Sequence, residues 1–261
     1  MEKLVSSIFK AYDIRGIVAT QLTPQTTELI GQVLGSMAIE NQVKGLVVGY
    51  DGRLTSPMLA KSLINGILST GCNVFEIGEV TTPMVYFANY ELKTYSGVMI
   101  TGSHNPPEYN GLKMVMAGDT LSGDKIQQIY QRIQDKQVIK GNGVHYCENI
   151  LEAYFTKITS DVKLARRMSI VVDAGNGVAG KIAPQLYRRL GCKVLGLFCE
   201  VDGNFPNHHP DPSKPENLND LIHALNSTET EIGLAFDGDG DRLGVVTKDG
   251  NIIYPDRQMM L

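Results

Sequence analysis

Residues 98–111 read VMITGSHNPPEYNG, an apolar run followed by small and polar residues. The apolar run at 98–100 fits a short buried strand. The chain is expected to turn sharply after it, because Gly102 tolerates unusual backbone angles and the two prolines fix φ and exclude a helix. Ser103 would then sit on a stiff loop at the strand end with its hydroxyl presented, although an ordinary turn would use the same residues.

A second stretch concentrates negative charge. Residues 236–242 read FDGDGDR, which places Asp237, Asp239 and Asp241 at alternate positions. Three neighbouring carboxylates repel one another unless a cation neutralises them, and oxygen ligands suit a hard ion such as Mg²⁺. The intervening glycines allow the backbone to curl, and Arg242 could bind a phosphate through its planar fork. The alternative is the acidic tip of a hairpin.

Together these stretches resemble two loops of the α-D-phosphohexomutase superfamily. Residues 101–106 are similar to its phosphoserine loop, and residues 237–242 are similar to its metal-binding loop. Within the superfamily the resemblance is strongest to the bacterial phosphomannomutase/phosphoglucomutases. Further matches occur in the expected order along the chain, at 10–16, 49–53 and 173–177.

The resemblance implies a mutase that interconverts hexose 1-phosphate and hexose 6-phosphate, with mannose or glucose as the sugar. Ser103 would carry a phosphate, and the sugar would pass through a bisphosphorylated intermediate, with hexose 1,6-bisphosphate as activator. Mg²⁺ would be bound by Asp237, Asp239, Asp241 and an oxygen of the phosphate on Ser103. The ion would neutralise the negative charge that develops in the transition state.

The resemblance also implies roles for further side chains. Lys113 matches the family lysine that serves as acid and base for the sugar hydroxyl, whereas residue type alone would favour an exposed strand lysine. His104 would contact the phosphate or brace the loop. Substrate binding and charge stabilisation would fall to Tyr12, Arg15, Asn105 and Arg242. Asp51 and Arg53 are expected instead to form an ion pair that braces the serine loop.

Composition limits the classes of partner. The 261 residues carry a net charge of −4, so no basic surface for nucleic acid or an anionic membrane is indicated. The four cysteines have no zinc-site spacing, and Cys72 and Cys192 are expected to be buried free thiols, as in a reducing cytoplasm. A phosphosugar is the expected partner, and oligomeric state is left open.

Strand and helix patterns alternate along the chain, which predicts an α/β fold of two similar small domains, each a mixed sheet flanked by helices. The expected domains are 1–152, with the serine loop, and 153–261, with the aspartate loop. A first strand is predicted at 9–12. The chain is expected to be a fragment that ends at the start of a third domain, without the domains that would clamp sugar and phosphate.

A competing fingerprint lies at residues 175–180, which read GNGVAG and match G-x-G-x-x-G after a strand, with Glu200 twenty residues beyond. This pattern is typical of NAD(P)-binding oxidoreductases. However, it leaves the aspartates and the serine loop without a role, and glycines also serve tight strand–helix turns. A third alternative is a module that binds Mg²⁺ or phosphate without catalysis.

Overall fold

The computed structural model describes residues 4–260, which divide into two compact units, one up to Ile150 and one from Leu151. The helices of the first unit are α1 (Pro24–Glu40), α2 (Ser56–Leu68), α3 (Thr82–Glu91) and α4 (Asp124–Gln134). Its strands are β1 (Ile14–Ile17), β2 (Leu46–Tyr50), β3 (Val74–Glu79), β4 (Gly97–Ile100), β5 (Tyr109–Met116), β6 (Asp119–Thr120) and β7 (His145–Cys147).

The first unit is built on a mixed sheet with the strand order β1-β5-β4-β2-β3-β7, and β6 pairs with β5. Strand β2 runs parallel to β3 and β4, whereas β5 runs antiparallel to β4 and β1. The carboxyl ends of β2 and β4 therefore lie side by side. The segments that follow them, at 51–53 and 101–105, are brought to one edge of the sheet.

Helix starts in this unit follow their sequence signals. Thr23 caps α1 by accepting a hydrogen bond from the Thr26 backbone N–H at 3.2 Å, and Pro24 occupies the first turn. The apolar faces of α1, α2 and α4 pack with one face of the sheet into a core that includes Ile30, Leu63 and Ile129.

The predicted strand at 9–12 is wrong. A short 3₁₀ helix, Ser6–Ile8, precedes it, Phe9 forms only an isolated bridge with Ile14, and the first strand is β1. Strand pairing explains the shift, because residues 14–17 pair with residues 109–112 of β5, while Tyr12 is 81% exposed. The pattern at 9–12 was too short to distinguish a strand from the irregular segment that precedes a strand.

In the second unit the helices are α5 (Leu151–Asp161), α6 (Ala179–Arg189), α7 (Asn219–Ser227) and α8 (Pro255–Gln258), with a 3₁₀ helix at Pro215–Leu218. The strands are β8 (Ser169–Asp173), β9 (Lys193–Leu197), β10 (Ile232–Phe236), β11 (Leu243–Thr247) and β12 (Ile252–Ile253). The sheet order is β12-β11-β10-β8-β9, parallel among β8, β9 and β10 and antiparallel beyond them.

The predicted fold class, two small α/β units with mixed sheets and flanking helices, is confirmed. Cys72 and Cys192 are buried free thiols, as expected. Among the described residues, no helix combines the length and apolar character needed to cross a bilayer.

Candidate active site

Ser103 lies on the loop that leaves the carboxyl end of β4. Its backbone adopts the left-handed conformation, with φ of +51°, and the residue is only 2% exposed. The Ser103 N–H donates to Thr101 Oγ1 at 2.7 Å, and its hydroxyl lies 3.1 Å from Nδ1 of His104. A non-glycine residue in this conformation costs free energy, so the surrounding contacts must hold it there.

Those contacts come chiefly from Arg53, whose side chain is buried inside the serine loop. Its Nη1 donates to the carbonyls of Pro106 at 2.7 Å and Tyr109 at 3.0 Å. Its Nη2 donates to the carbonyls of Ser103 at 2.8 Å and Asn105 at 2.6 Å. One guanidinium thus holds four backbone carbonyls of the loop, which its rigid fork of donors suits.

Asp51 completes this brace. Its Oδ2 lies 3.3 Å from Arg53 Nε and accepts the Gly102 N–H at 3.1 Å, while its Oδ1 accepts the Ser56 hydroxyl at 2.6 Å. Burial raises the pKa of the Asp51 carboxyl, and the charge of Arg53 opposes that shift. The expectation that this pair is a structural brace of the serine loop is confirmed.

The explanation for Gly102 needs correction. Among the residues with positive φ, the loop contributes Ser103 and not Gly102. A Cβ on Gly102 would instead collide with the guanidinium of Arg53. Glycine is therefore needed here for close approach, and the unusual backbone angle falls on the serine itself.

The remaining sequence-predicted residues of this unit lie around the loop. Asn105 Nδ2 donates to the Gly102 carbonyl at 2.8 Å, which makes its side chain part of the turn. Arg15 on β1 pairs with Gly111 on β5, so its side chain and that of Lys113, two residues along, lie on one face of the sheet. Arg15 also forms an ion pair with Asp13. Tyr12 lies outside the strands and is 81% exposed.

The second group lies in the tight connection between β10 and β11. Carboxylate oxygens of Asp237, Asp239 and Asp241 approach within 4.8 Å of one another, and the first two residues are fully buried. Asp237 Oδ1 accepts the backbone N–H groups of Asp241 and Arg242, each at 3.0 Å. Gly240 has φ of +72°, which permits the curl that the sequence predicted.

The electrostatics of this loop are unfavourable without a cation. Burial, with the charges of Asp239 and Asp241, raises the pKa of Asp237 to about 8, against the opposing effect of the Arg242 backbone N–H. The side chain of Arg242 is half exposed, with its Nε 3.9 Å from Asp237 Oδ2. Three converging carboxylates with this electrostatic demand fit a divalent cation with oxygen ligands, such as Mg²⁺.

The glycine fingerprint has a structural role. A Cβ on Gly180 would strike the backbone of Cys199, and one on Gly177 would lie 2.9 Å from the Gly238 carbonyl oxygen of the aspartate loop. Gly177 and Gly238 are thus in close contact, and the Val178 N–H donates to the same carbonyl at 3.3 Å. The space beside Gly177 that a dinucleotide phosphate would need is therefore filled by the chain.

The sequence analysis missed the hydrogen bonds that hold the turn after β8, at residues 173–177. Nε2 of His208 lies 3.0 and 3.1 Å from the two carboxylate oxygens of Asp173, which is buried at the end of β8. Burial alone would lower the pKa of His208, but the hydrogen bond and charge of Asp173 raise it overall. Asn176, with φ of +62°, donates from Nδ2 to the Glu200 carbonyl at 2.8 Å. His208 and Asp173 are thirty-five residues apart in the chain, so no local sequence pattern links them.

Family models and similar proteins of known name all point to the same family. Sequence models of phosphoglucomutase/phosphomannomutase α/β/α domain I and domain II match residues 6–139 and 145–250. A phosphomannomutase/phosphoglucomutase of Pseudomonas aeruginosa is 54% identical over 99% of this chain, and a phosphoglucomutase of Neisseria gonorrhoeae is 53% identical over all of it. The chain spans 56% and 57% of those relatives' lengths.

A solved structure agrees. A phosphoglucomutase/phosphomannomutase family protein from Burkholderia thailandensis superposes with a TM-score of 0.95 at 47% identity, over 99% of this chain and 58% of that one. The family models cover most of the chain and include both the serine loop and the aspartate loop. The chain therefore belongs to the phosphoglucomutase/phosphomannomutase family, within the α-D-phosphohexomutase superfamily.

Proposed function

We propose that this chain carries the phosphoryl-transfer residues of a phosphohexomutase, which moves a phosphate between the C1 and C6 oxygens of a hexose. The observation that carries the proposal is the conformation of Ser103, a buried serine in the left-handed region. A plain turn would use glycine or asparagine there. A serine in that place, braced by a buried arginine, suits a residue that must present its hydroxyl in one position.

Ser103 is the proposed phosphate carrier. When the phosphoserine gives up its group, the bond between phosphorus and Ser103 Oγ breaks as a bond forms to the sugar hydroxyl oxygen. The hydroxyl proton passes to Lys113, whose amine must be unprotonated to accept it. After the bisphosphorylated sugar is reoriented, its other phosphate returns to Ser103 and the proton returns to the sugar oxygen. The Ser103 oxygen takes up a proton from solvent when its phosphate leaves and gives that proton up when it is phosphorylated again, so atoms and charge balance over the cycle.

His104 and the cationic side chains have supporting roles. Nδ1 of His104, 3.1 Å from the Ser103 hydroxyl, is placed to hydrogen-bond that oxygen or a phosphate on it. Arg15 shares a sheet face with Lys113, as the strand register requires, and is proposed to bind the phosphosugar with Tyr12 and Asn105. Arg242, half exposed beside the aspartates, is proposed to contact phosphate.

Asp237, Asp239 and Asp241 are proposed to hold Mg²⁺. The bound ion would neutralise negative charge that develops on the transferring phosphoryl group. The convergence of the three carboxylates and the raised pKa of Asp237 support this assignment. Mannose and glucose phosphates are the proposed substrates, following the names of the Pseudomonas relatives.

Intact-protein mass spectrometry tests the proposal. The chain is incubated with glucose 1,6-bisphosphate and Mg²⁺, and we expect the mass to rise by one phosphoryl group. Ser103→Ala should gain none, whereas Ser122→Ala, an exposed serine elsewhere in the same unit, should gain as much as the unchanged chain. Chelation of Mg²⁺, or Asp239→Asn, should slow labelling by at least about 100-fold, as for loss of one strong electrostatic contact in a transition state.

The Pseudomonas aeruginosa relative serves as the positive control. If that protein is labelled under the same conditions and this chain is not, the residues of this chain are not sufficient to transfer a phosphoryl group to Ser103. Labelling that persists in Ser103→Ala would overturn the role of the serine.

A further inference from the structure

A third group of potential ligand atoms lies outside the proposed active site, at the edge of the first sheet. Glu76 on β3 and His145 and Cys147 on β7 bring a carboxylate oxygen, an imidazole nitrogen and a thiol sulfur within 4.8 Å of one another. His145 Nε2 is 2.8 Å from Glu76 Oε2, and Cys147 is an exposed free thiol. None of the three residues has a role in phosphoryl transfer as proposed above.

Strand register explains why these side chains converge. His145 and Cys147 are two residues apart on β7, so their side chains lie on the same face of the sheet. Strand β7 runs parallel to β3, with Cys147 opposite Glu76 and His145 opposite Val74. The carboxylate is therefore directly beside the thiol and one step along from the imidazole. A shift of register by one residue would separate all three.

The opposite face fixes that register. Tyr146, between the two ligand residues, stacks on Phe75 of β3, with ring centroids 5.0 Å apart and planes 14° apart. Backbone hydrogen bonds at either end, from Val74 N–H to the Val144 carbonyl and from Glu148 N–H to the Glu76 carbonyl, align the segment with β3. The positions of the three ligand residues are thus set by the backbone and by an aromatic contact that a metal would not disturb.

From this arrangement we infer that Glu76, His145 and Cys147 form a binding site for Zn²⁺ or a similar borderline transition metal. Zinc takes cysteine sulfur, histidine nitrogen and carboxylate oxygen in tetrahedral sites, and three protein ligands leave one position for water. A thiolate and an imidazole are poor ligands for Mg²⁺. The site would therefore select a different class of metal from the all-carboxylate loop of the second unit.

The distances need only a small adjustment. In a tetrahedral zinc site with ordinary bond lengths, nitrogen, oxygen and sulfur ligands lie about 3.4–3.6 Å apart. The hydrogen-bonded Glu76 and His145 atoms are closer than this, at 2.8 Å, so the metal would replace the shared proton and separate them slightly. The two side chains are 26% and 37% exposed, which leaves room for that rotation.

A bound metal would clip the outermost strand to the sheet. Strand β7 has three residues and lies at the end of the strand order, and such short edge strands open readily. The metal ligands come from both β7 and β3, so local opening of β7 would require release of the ion. Metal binding should therefore suppress that opening in proportion to metal occupancy.

Cobalt(II) titration of the full chain tests the site, with excess Mg²⁺ present to occupy the aspartate loop. We expect visible bands of tetrahedral Co²⁺ and a near-ultraviolet thiolate-to-cobalt charge-transfer band that saturates at one equivalent, and Zn²⁺ should displace both. Cys147→Ser should abolish the charge-transfer band. Glu76→Gln and His145→Ala should each weaken Co²⁺ binding by at least about 10-fold. Loss of a residue that only supports a metal ligand already costs about that much, and loss of the ligand itself should cost no less.

Cys199→Ser is the matched control, because Cys199 is also a free thiol but lies in the second unit. It should leave the spectrum unchanged. Absence of a thiolate band in the unchanged chain at saturating Co²⁺ would overturn the inference. So would a band that persists in Cys147→Ser.

Hydrogen exchange gives a readout that does not depend on cobalt. At free Zn²⁺ of 100 times Kd, exchange through local opening of residues 145–147 should slow by about 100-fold, and Cys147→Ser should lose that protection. Equal exchange with and without Zn²⁺ would overturn the inference. Ser103 phosphorylation does not enter either experiment, so failure here and failure of the proposed mutase function can be distinguished.

Discussion

The serine loop and the aspartate loop both bury charged groups, but they balance that charge differently. In the serine loop, the positive charge comes from the guanidinium of Arg53, which forms an ion pair with Asp51 and donates hydrogen bonds to four backbone carbonyls. In the aspartate loop, two fully buried carboxylates and a third exposed one converge on one another, and the half-exposed Arg242 approaches only Asp237, at 3.9 Å. One loop is neutralised by the chain, and the other is proposed to be neutralised by an ion from solution.

This difference teaches how each loop reaches its working geometry. The serine loop is preorganised by folding, because removal of its cation would leave a buried carboxylate and carbonyls without partners. The aspartate loop holds its backbone by hydrogen bonds to Asp237 but retains carboxylate repulsion, which a proton or a bound cation would relieve. Removal of a charged side chain should therefore destabilise the unit with the serine loop and, in the absence of a cation, stabilise the unit with the aspartate loop.

The largest effect is expected from Arg53→Met. Loss of the buried cation should lower the free energy of unfolding of the first unit by about 3–5 kcal/mol, as for a buried ion pair broken on one side. Hydrogen exchange of the amides in β2 and β4, followed by mass spectrometry, measures this unit separately. Lys125→Met, which removes an exposed ion pair with Asp119, should cost at most about 1 kcal/mol. Equal effects of the two substitutions would refute the brace.

A smaller effect is expected from Mg²⁺ on the second unit. At 100 times its Kd, the ion should stabilise this unit by about 2.7 kcal/mol, measured by exchange of the β10 and β11 amides. Asp239→Asn should lose most of that gain. In chelator, however, the same substitution should stabilise the unit, because it removes one of the carboxylates that repel one another.

Asp249→Asn, at an exposed position outside the loop, serves as control and should keep the full response to Mg²⁺. If Asp239→Asn destabilises the second unit in chelator, then the buried carboxylates are satisfied by the chain, and the contrast between the loops disappears.

The smallest expected effect, counted per pH unit, is a dependence of the stability of the second unit on pH. The pKa of Asp237 is raised from 3.8 to about 8, so between those values the folded unit keeps a proton that the unfolded chain has lost. Stability in chelator should therefore fall as pH rises across that range, by at most about 1.4 kcal/mol per pH unit.

Asp237→Asn should remove this slope, and saturating Mg²⁺ should reduce it because the ion displaces the proton. The raised pKa of His208 adds a loss in the same direction above about pH 6.5, so the comparison is the difference in slope between the unchanged chain and Asp237→Asn. Identical slopes would show that Asp237 is ionised throughout.

Much of the fold could be predicted from local patterns. Thr23-Pro24 and Ser56-Pro57 marked the starts of α1 and α2, and the alternation of strands and helices indicated two α/β units. The first strand was misplaced because residues 9–12 and 14–17 are both short and partly apolar, and the pairing of 14–17 with β5 distinguishes them. The roles of Ser103, Lys113 and the other predicted site residues in catalysis stay predictions.

The sequence alone determined which chemical groups are available, since a serine loop and three alternating aspartates are local in the chain. Only the tertiary structure decided what surrounds them. Arg53 reaches carbonyls more than fifty residues away, and Glu76 meets His145 across sixty-nine residues. Gly102 is glycine because of Arg53, not because of its own φ. Contacts of this kind arise from strand order and register, which bring distant segments to one sheet edge and leave no periodic signal in the sequence.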